Sequence, residues 1–290
     1  MKSVLLIVLT FFLSLSGLAK ADNDTIRIGY FNWSDAIFTA NVVNYILTQK
    51  MDREVDMIKA DPAAIFQGVA SGDLDFHTDA WLPDTHADYY AKVAKDTLNV
   101  GPVYADGRLG WVVPNYVPKD QLASIEDLKS AAVKDKLDGE IVGIDPGAGL
   151  TRLSKQAVQA YGLDDAGYNL QISSGAGMTA ALKRAIQRQE WIVVTGWSPH
   201  WKFGRWELRY LDDPKGVLGG IERADILVRK GFYRDEPAIY ALLDRMTIPL
   251  DDVQKGMYNG EESSYPQAAK EYVEAHPKLV RYWITGELAE

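Results

Sequence analysis

Three tryptophans, Trp33, Trp81 and Trp197, fall where a short apolar run gives way to polar or helix-starting residues. A tryptophan face is the strongest aromatic partner for a cation, worth ~0.5–1 kcal/mol when exposed and ~2 kcal/mol or more when desolvated. Three such faces suit a methylated ammonium, which has no N–H to donate and prefers aromatic walls to carboxylates alone. A single tryptophan at a strand end is read more simply as the cap of a core. Three at equivalent places favour a cage. Trp111, Trp191, Trp201, Trp206 and Trp283 lack that placement, and Trp201, which closes the stretch "VVTGWSPHW", reads as packing beneath the loop.

Other residues near these tryptophans suit an anion. In "GIDPGAGLTRLSKQAV" a strand ends at Ile144, and small residues lead into a helix starting near Leu150. Free backbone N–H groups at a helix start bind a carboxylate without a charged side chain, and Gly147 and Gly149 permit close approach. An ordinary strand-to-helix turn has the same local sequence. His86 follows Trp81 by five residues and either donates to a ligand carboxylate or merely begins a surface helix. His200, three residues after Trp197, competes for that task. Asp35 could meet a ligand hydroxyl or cation, but its position favours an N-cap. His77 reads as structural and His276 as solvated.

Competing chemistries lack their residues. Gly175-x-Gly177-x-x-Ala180 is half a dinucleotide fingerprint, without the acidic residue about 20 positions on that the motif needs, and reads as another helix start. There is no G-x-S-x-G elbow, H-E-x-x-H pair or P-loop. Ser198 lies near His200 in "GWSPH", with nothing visible to activate it. Four scattered histidines do not make a metal site. The expectation is a binding protein, not an enzyme, with no catalytic residue, metal or cofactor.

The elements that must position these residues alternate. "TIRIGYF", "EVDMIKA" and "LDFHTDA" read as strands, "AIFTANVVNYILTQK" and "PAAIFQGVASG" as helices, and "YPQAAKEYVEAHPKLVRYWITG" as one helix ended by Gly286. This rhythm predicts an α/β fold with mostly parallel sheets. A weak repeat runs through it. With Trp81 laid over Trp197, Phe66 meets Leu182, Val69 meets Ala185 and Ala70 meets Ile186, and each copy ends in Trp-x-Pro. Trp33 and Gly149 each precede their tryptophan by 48 residues. Two similar lobes facing each other would bring these strand ends to one cleft, where open α/β sheets bind ligands.

The first residues, MKSVLLIVLTFFLSLSGLAKA, have the layout of a cleavable secretory signal over 1–21, with an apolar run too short to span a bilayer. The chain has no cysteine, which suits a periplasmic protein held together by its core. The formal charge is -9, and loss of Lys2 and Lys20 with the leader takes it to -11. Such an acidic chain without a basic patch argues against a nucleic-acid or polybasic membrane-surface role, and is compatible with a small cationic ligand.

Taken together, "NWSDA", "DAWLPDTH", "GIDPGAG", "GWSPHWKFG", "YLDDPKGVLGG" and the C-terminal tail resemble the substrate-binding proteins of ABC importers for glycine betaine and related quaternary amines. The resemblance covers essentially the whole mature chain. It implies a two-lobed type II periplasmic binding protein fold, with the ligand in the interlobe cleft and hinge closure around it. Lobe 1 would comprise 22–105 plus about 206–290, and lobe 2 about 106–205. It implies a cage of Trp33, Trp81 and Trp197, with His86 and the amides of Gly147 and Ala148 on the carboxylate, and it keeps Asp35 as a further ligand-binding candidate beside His200, which its spacing offers. The choline-binding branch has a tyrosine where this chain has Leu109, and an asparagine where "PGAG" has small residues. These departures favour glycine betaine or a close carboxylated analogue over choline, carnitine or dimethylsulfoniopropionate. The expected partners are that small ligand and the membrane permease of an importer, with the chain acting as a monomer.

Overall fold

The computed structural model describes residues 25–288; the leader lies outside the described residues. The first stretch alternates β1 (Ile26–Tyr30), α1 (Ser34–Lys50), β2 (Val55–Lys59), α2 (Pro62–Ser71), β3 (Phe76–Leu82) and α3 (Ala87–Val93), then enters the long β4 (Thr97–Pro114). A second stretch follows with α4 (Ala131–Leu137), β5 (Glu140–Val142), α5 (Gly149–Ala160), β6 (Asn169–Gln171), α6 (Gly175–Arg188), β7 (Val194–Ser198), α7 (Lys202–Arg205) and β8 (Leu208–Tyr210). The chain returns through β9 (Ile221–Arg229) and ends in α8 (Phe232–Asp235), α9 (Pro237–Arg245), α10 (Leu250–Glu262), α11 (Tyr265–Ala275) and α12 (Pro277–Thr285).

The strands form one curled sheet in the order β2-β1-β3-β9-β4-β7-β5-β6, with β8 beside β4. Its ends are parallel, as the alternation requires: β2-β1-β3 at one end and β7-β5-β6 at the other. Its middle departs from the expected mostly parallel sheet. The pairings β3-β9, β9-β4 and β4-β7 are antiparallel. The cause is the long β4, which belongs to both halves. Its first part pairs with β9 and its last part with β7 and β8. Between them its register shifts around Tyr104 and Gly107, and Asp106 takes a left-handed φ of 62°. A strand so interrupted bends, which turns one sheet into two facing lobes.

The helices bury what the sheet exposes. Helix α1 is apolar nearly all round, because β3 lies on one side and α10 and α11 on the other. The second lobe has its own core, with Trp111, Leu128, Ile141 and Tyr161, and takes in Leu211 and Leu218 beyond residue 206. The tail expected as one helix is two, α11 and α12. Pro277 has no N–H to continue α11 and instead opens α12, which Gly286 closes in the left-handed region.

The repeat survives in space. Phe66 and Leu182, and Val69 and Ala185, are buried, while Ala70 and Ile186 are half-buried. Trp81 and Trp197 end β3 and β7, and the peptide bonds before Pro83 and Pro199 are both cis.

Candidate ligand-binding site

The two halves meet around a small cavity, partly open to solvent, walled by Trp33, Trp81 and Trp197. Each wall is held by a different element. Trp33 stands at the N-cap of α1, and its indole N–H reaches across to Asp145 Oδ2 in the other lobe at 3.1 Å. Trp81 lies against β4, where a side chain at Gly107 would come within 2.9 Å of its ring. Trp197 sits opposite Leu109 in the β4-β7 register, and Leu109 itself closes the apolar lining.

His86 lies at the cavity wall, fully buried and stacked on Trp33 with ring centroids 6.0 Å apart. Its Nδ1 accepts the backbone N–H of Trp81 at 3.0 Å, while the His86 backbone N–H donates to the Trp81 carbonyl at 2.8 Å. A neutral imidazole that accepts at Nδ1 carries its proton at Nε2, and Nε2 has no partner. Burial, aided by the charge of Arg152, lowers the ring's pKa to about 3. The result is a neutral N–H donor at the cavity wall, rather than the surface histidine that the local sequence equally allows.

Across the cleft, α5 begins at the cavity. No helical bond closes on the N–H groups of Gly149 and Leu150, as at any helix start, and both residues line the cavity with Ala148. The amide of Ala148 turns back to Asp145 O, and Gly147 is set aside from the lining, its carbonyl accepting from Tyr89 OH at 2.8 Å. Gly149 is demanded by packing. A Cβ there would lie 2.0 Å from the carbonyl oxygen of Thr85 in the other lobe. The repeat therefore places a tryptophan, Trp33, in one lobe and the only side chain small enough in the other. Arg152 completes the seam, donating to the carbonyls of Asp84 and Thr85 at 2.8 and 3.3 Å and pairing with Asp88.

Asp35 is not the N-cap that its position favours. Helix α1 has no side-chain cap, and Asp35 Oδ2 instead accepts from Tyr104 OH at 2.8 Å and Trp81 Nε1 at 3.2 Å, within the cavity wall. Burial raises its pKa, and those hydrogen bonds only partly oppose it. His200 lines an adjoining cavity beyond Trp33 and Trp197, not the one that Trp81 walls, and packs on Trp197 and Trp201. Trp201 is largely buried there, in keeping with a packing role. Ser174 caps α6 through the amide of Gly177, so the glycines after it start a helix.

The sequence reading missed Asp79 and Tyr104. Asp79 Oδ1 accepts from Trp81 Nε1 at 3.0 Å and Tyr104 OH at 3.1 Å. A signal was present, since alternation along a strand puts Asp79 on the same side as Trp81. Tyr104 had none, being brought in by the bend of β4.

Residues 24–275 match the family described as the substrate binding domain of ABC-type glycine betaine transport systems. The chain belongs to that family. Its members are substrate-binding transport proteins. Among solved structures, it resembles lactococcal OpuAC, determined closed with glycine betaine, at 34% identity and a TM-score of 0.83, over 91% of this chain and 100% of that one. It resembles ProX of Borrelia burgdorferi, described as a glycine/betaine/L-proline-binding protein, at 33% identity and a TM-score of 0.83, over 90% and 96% of the two chains. A curated relative is the glycine betaine/carnitine transport binding protein GbuC of Listeria monocytogenes serotype 1/2a (strain 10403S), 39% identical over 153 residues, or 52% of this chain. The match spans about half, 51%, of that relative's length. The fold is thus the two-lobed type II architecture of these binding proteins, with the tryptophan-walled cavity between the lobes.

Proposed function

We propose that this chain captures glycine betaine, or a close carboxylated quaternary amine, and hands it to the permease of an ABC importer. The observation that carries this reading is the pairing of two chemistries in one cavity. Three indole faces suit a trimethylammonium, and His86, with its unpaired Nε2–H, lines the same cavity as the bare amides that begin α5. A zwitterion with its charges one carbon apart matches that pairing. Choline would find no use for the donors, although the unpartnered Oδ1 of Asp35 at the same wall offers an acceptor for its hydroxyl and makes it the second reading.

Capture works by closure. The cage is incomplete in either lobe alone, since Trp33 and Trp81 belong to one and Trp197 to the other. Ligand therefore binds the closed form better and shifts the population toward it. The seam of Arg152, Tyr89 and Trp33–Asp145 then holds the lobes together. We place the crossings near Asp106 in β4 and just before β9. No helix among the described residues is long and apolar enough to cross a membrane, and export by the leader would put the protein, as a monomer, in the periplasm beside its permease.

Calorimetric titration with glycine betaine and choline tests the reading, using protein unfolded and refolded to strip carried ligand. Micromolar betaine binding corresponds to about -8 kcal/mol. Betaine tighter than choline supports the proposal. Choline alone binding would move the function to Asp35, and no binding of either would refute it.

A further inference from the structure

Behind Trp81 lie two carboxylates that the cage does not require. Asp35 and Asp79 are both about 1% exposed. Asp35 Oδ2 and Asp79 Oδ1 accept from the same two donors, the Trp81 indole N–H and the Tyr104 hydroxyl. Two oxygens served by the same two hydrogens are neighbours, and among the described residues the remaining oxygens, Asp35 Oδ1 and Asp79 Oδ2, lie within hydrogen-bond geometry of no donor. Like charges so placed in a dry interior cannot both persist. Asp35 lines the cavity and Asp79 does not.

We propose that Asp79 sets the cage's affinity for cations: Asp35 and Asp79 hold one proton between them, and the single negative charge left on the pair attracts the ligand's ammonium through Trp81. The proposal rests on the ligand being a quaternary cation. Burial and the neighbouring charge of Asp35 raise the pKa of Asp79 well above the usual carboxylate range, in accord with the geometry. The Trp81 N–H, donating to both carboxylates, also draws the indole toward the pair and fixes its face to the cavity. When acid adds a second proton, the pair becomes neutral and the cation loses its counter-charge. A bound cation conversely favours release of that proton.

The surroundings leave few other groups to titrate between about pH 5 and about pH 8. Tyr104 from β4 and Tyr265 from α11 are held as phenols by burial. His77 in β3 and His86 after it are neutral down to about 3, and burial lowers His200 as well. Asp225 of β9 is engaged by Asn99 and Arg223. Lys202 of α7 remains, fully buried, its Nζ 4.3 Å from the Trp197 ring centre and without a hydrogen bond. Burial lowers its pKa and Asp35 opposes that shift, so it needs its own control.

The test titrates tetramethylammonium, which has no carboxylate and no titration of its own, alongside glycine betaine, between about pH 8 and about pH 5. The wild type should lose about tenfold in tetramethylammonium affinity across that range. Asp79→Asn, which keeps the size and can donate to Asp35, should move the fall to lower pH and leave at most about a twofold change. Lys202→Met should keep the wild-type slope. The proposal is overturned by an unchanged slope in Asp79→Asn, or by a slope lost only in Lys202→Met. Carboxyl carbon shifts of the ligand-free protein give a second readout, and finding both carboxyls ionised near neutral pH overturns it too. Betaine binding with a flat wild-type tetramethylammonium profile sinks this inference and spares the proposed function. No binding of either cation sinks both.

Discussion

Replacing His86 by alanine separates the two halves of the site. The imidazole offers one N–H, at Nε2, with no partner among the described residues. A hydrogen bond from it to a ligand carboxylate is charge-assisted and worth about 1.5–3 kcal/mol, or about 10- to 150-fold in affinity. The substitution also strips the Trp81 N–H of its acceptor at 3.0 Å and removes the ring stacked on Trp33. Those losses disturb the cage and weaken every cation alike. The informative quantity is thus the ratio of glycine betaine to choline affinity, measured by calorimetry on refolded protein. It should fall by about 10- to 150-fold, even if both affinities drop. In the wild type the ratio should stay constant down to about pH 5, because burial keeps His86 neutral to about 3 and any change in the cage cancels. An equal loss for both ligands would refute the donor role and leave His86 as a prop for the tryptophans.

Gly149→Ala should weaken glycine betaine at least about 100-fold with little change in the ligand-free melting temperature. The added Cβ would meet the Thr85 carbonyl at 2.0 Å only when the lobes are together; a matching drop in melting temperature would show that the seam also holds the free protein. Arg152→Met should speed ligand release about tenfold or more, since its bonds to the Asp84 and Thr85 carbonyls come from a charged donor; stopped-flow tryptophan fluorescence would show it, and an unchanged rate would remove Arg152 from the latch. Acidification should destabilise the fold. His77 and His86 titrate at about 3 in the folded chain and near 6.5 when unfolded, so below about pH 6.5 the unfolded chain takes up protons that the folded chain refuses. Each then costs up to about 1.4 kcal/mol per pH unit, while the raised carboxyls of Asp35 and Asp79 pull the other way. Urea unfolding at a series of pH values checks this against His77→Gln, whose stability should fall less steeply with acid between about pH 6.5 and about pH 4.5; a slope identical to the wild type would contradict a neutral buried His77.

The sequence by itself determined the elements and the identity of the walls. Alternating strands and helices, and the repeat relating Trp81 to Trp197, are local patterns that burial follows residue by residue, as at Phe66 and Leu182. Trp33, Trp81 and Trp197 were legible because each occupies a strand end or helix start, where α/β geometry points side chains at one edge, whereas His86 reads locally as a surface residue until packing buries it at the cavity wall. The tertiary structure decided what depends on contacts between distant segments. The antiparallel middle of the sheet comes from β4 serving both lobes, and no local period records a strand's partners. Asp35 reads as a cap until Trp81 and Tyr104, 46 and 69 residues away, supply donors to its side chain. Gly149 reads as turn freedom until the Thr85 backbone of the other lobe leaves no room for a Cβ. Gly147 has the right chemistry for the anion site, yet its neighbours Gly149 and Leu150 line the cavity, because where a helix start points is set by how its lobe docks. Residue type and spacing fix which chemistry is on offer, and long-range packing fixes which of those groups face the same few ångströms of space.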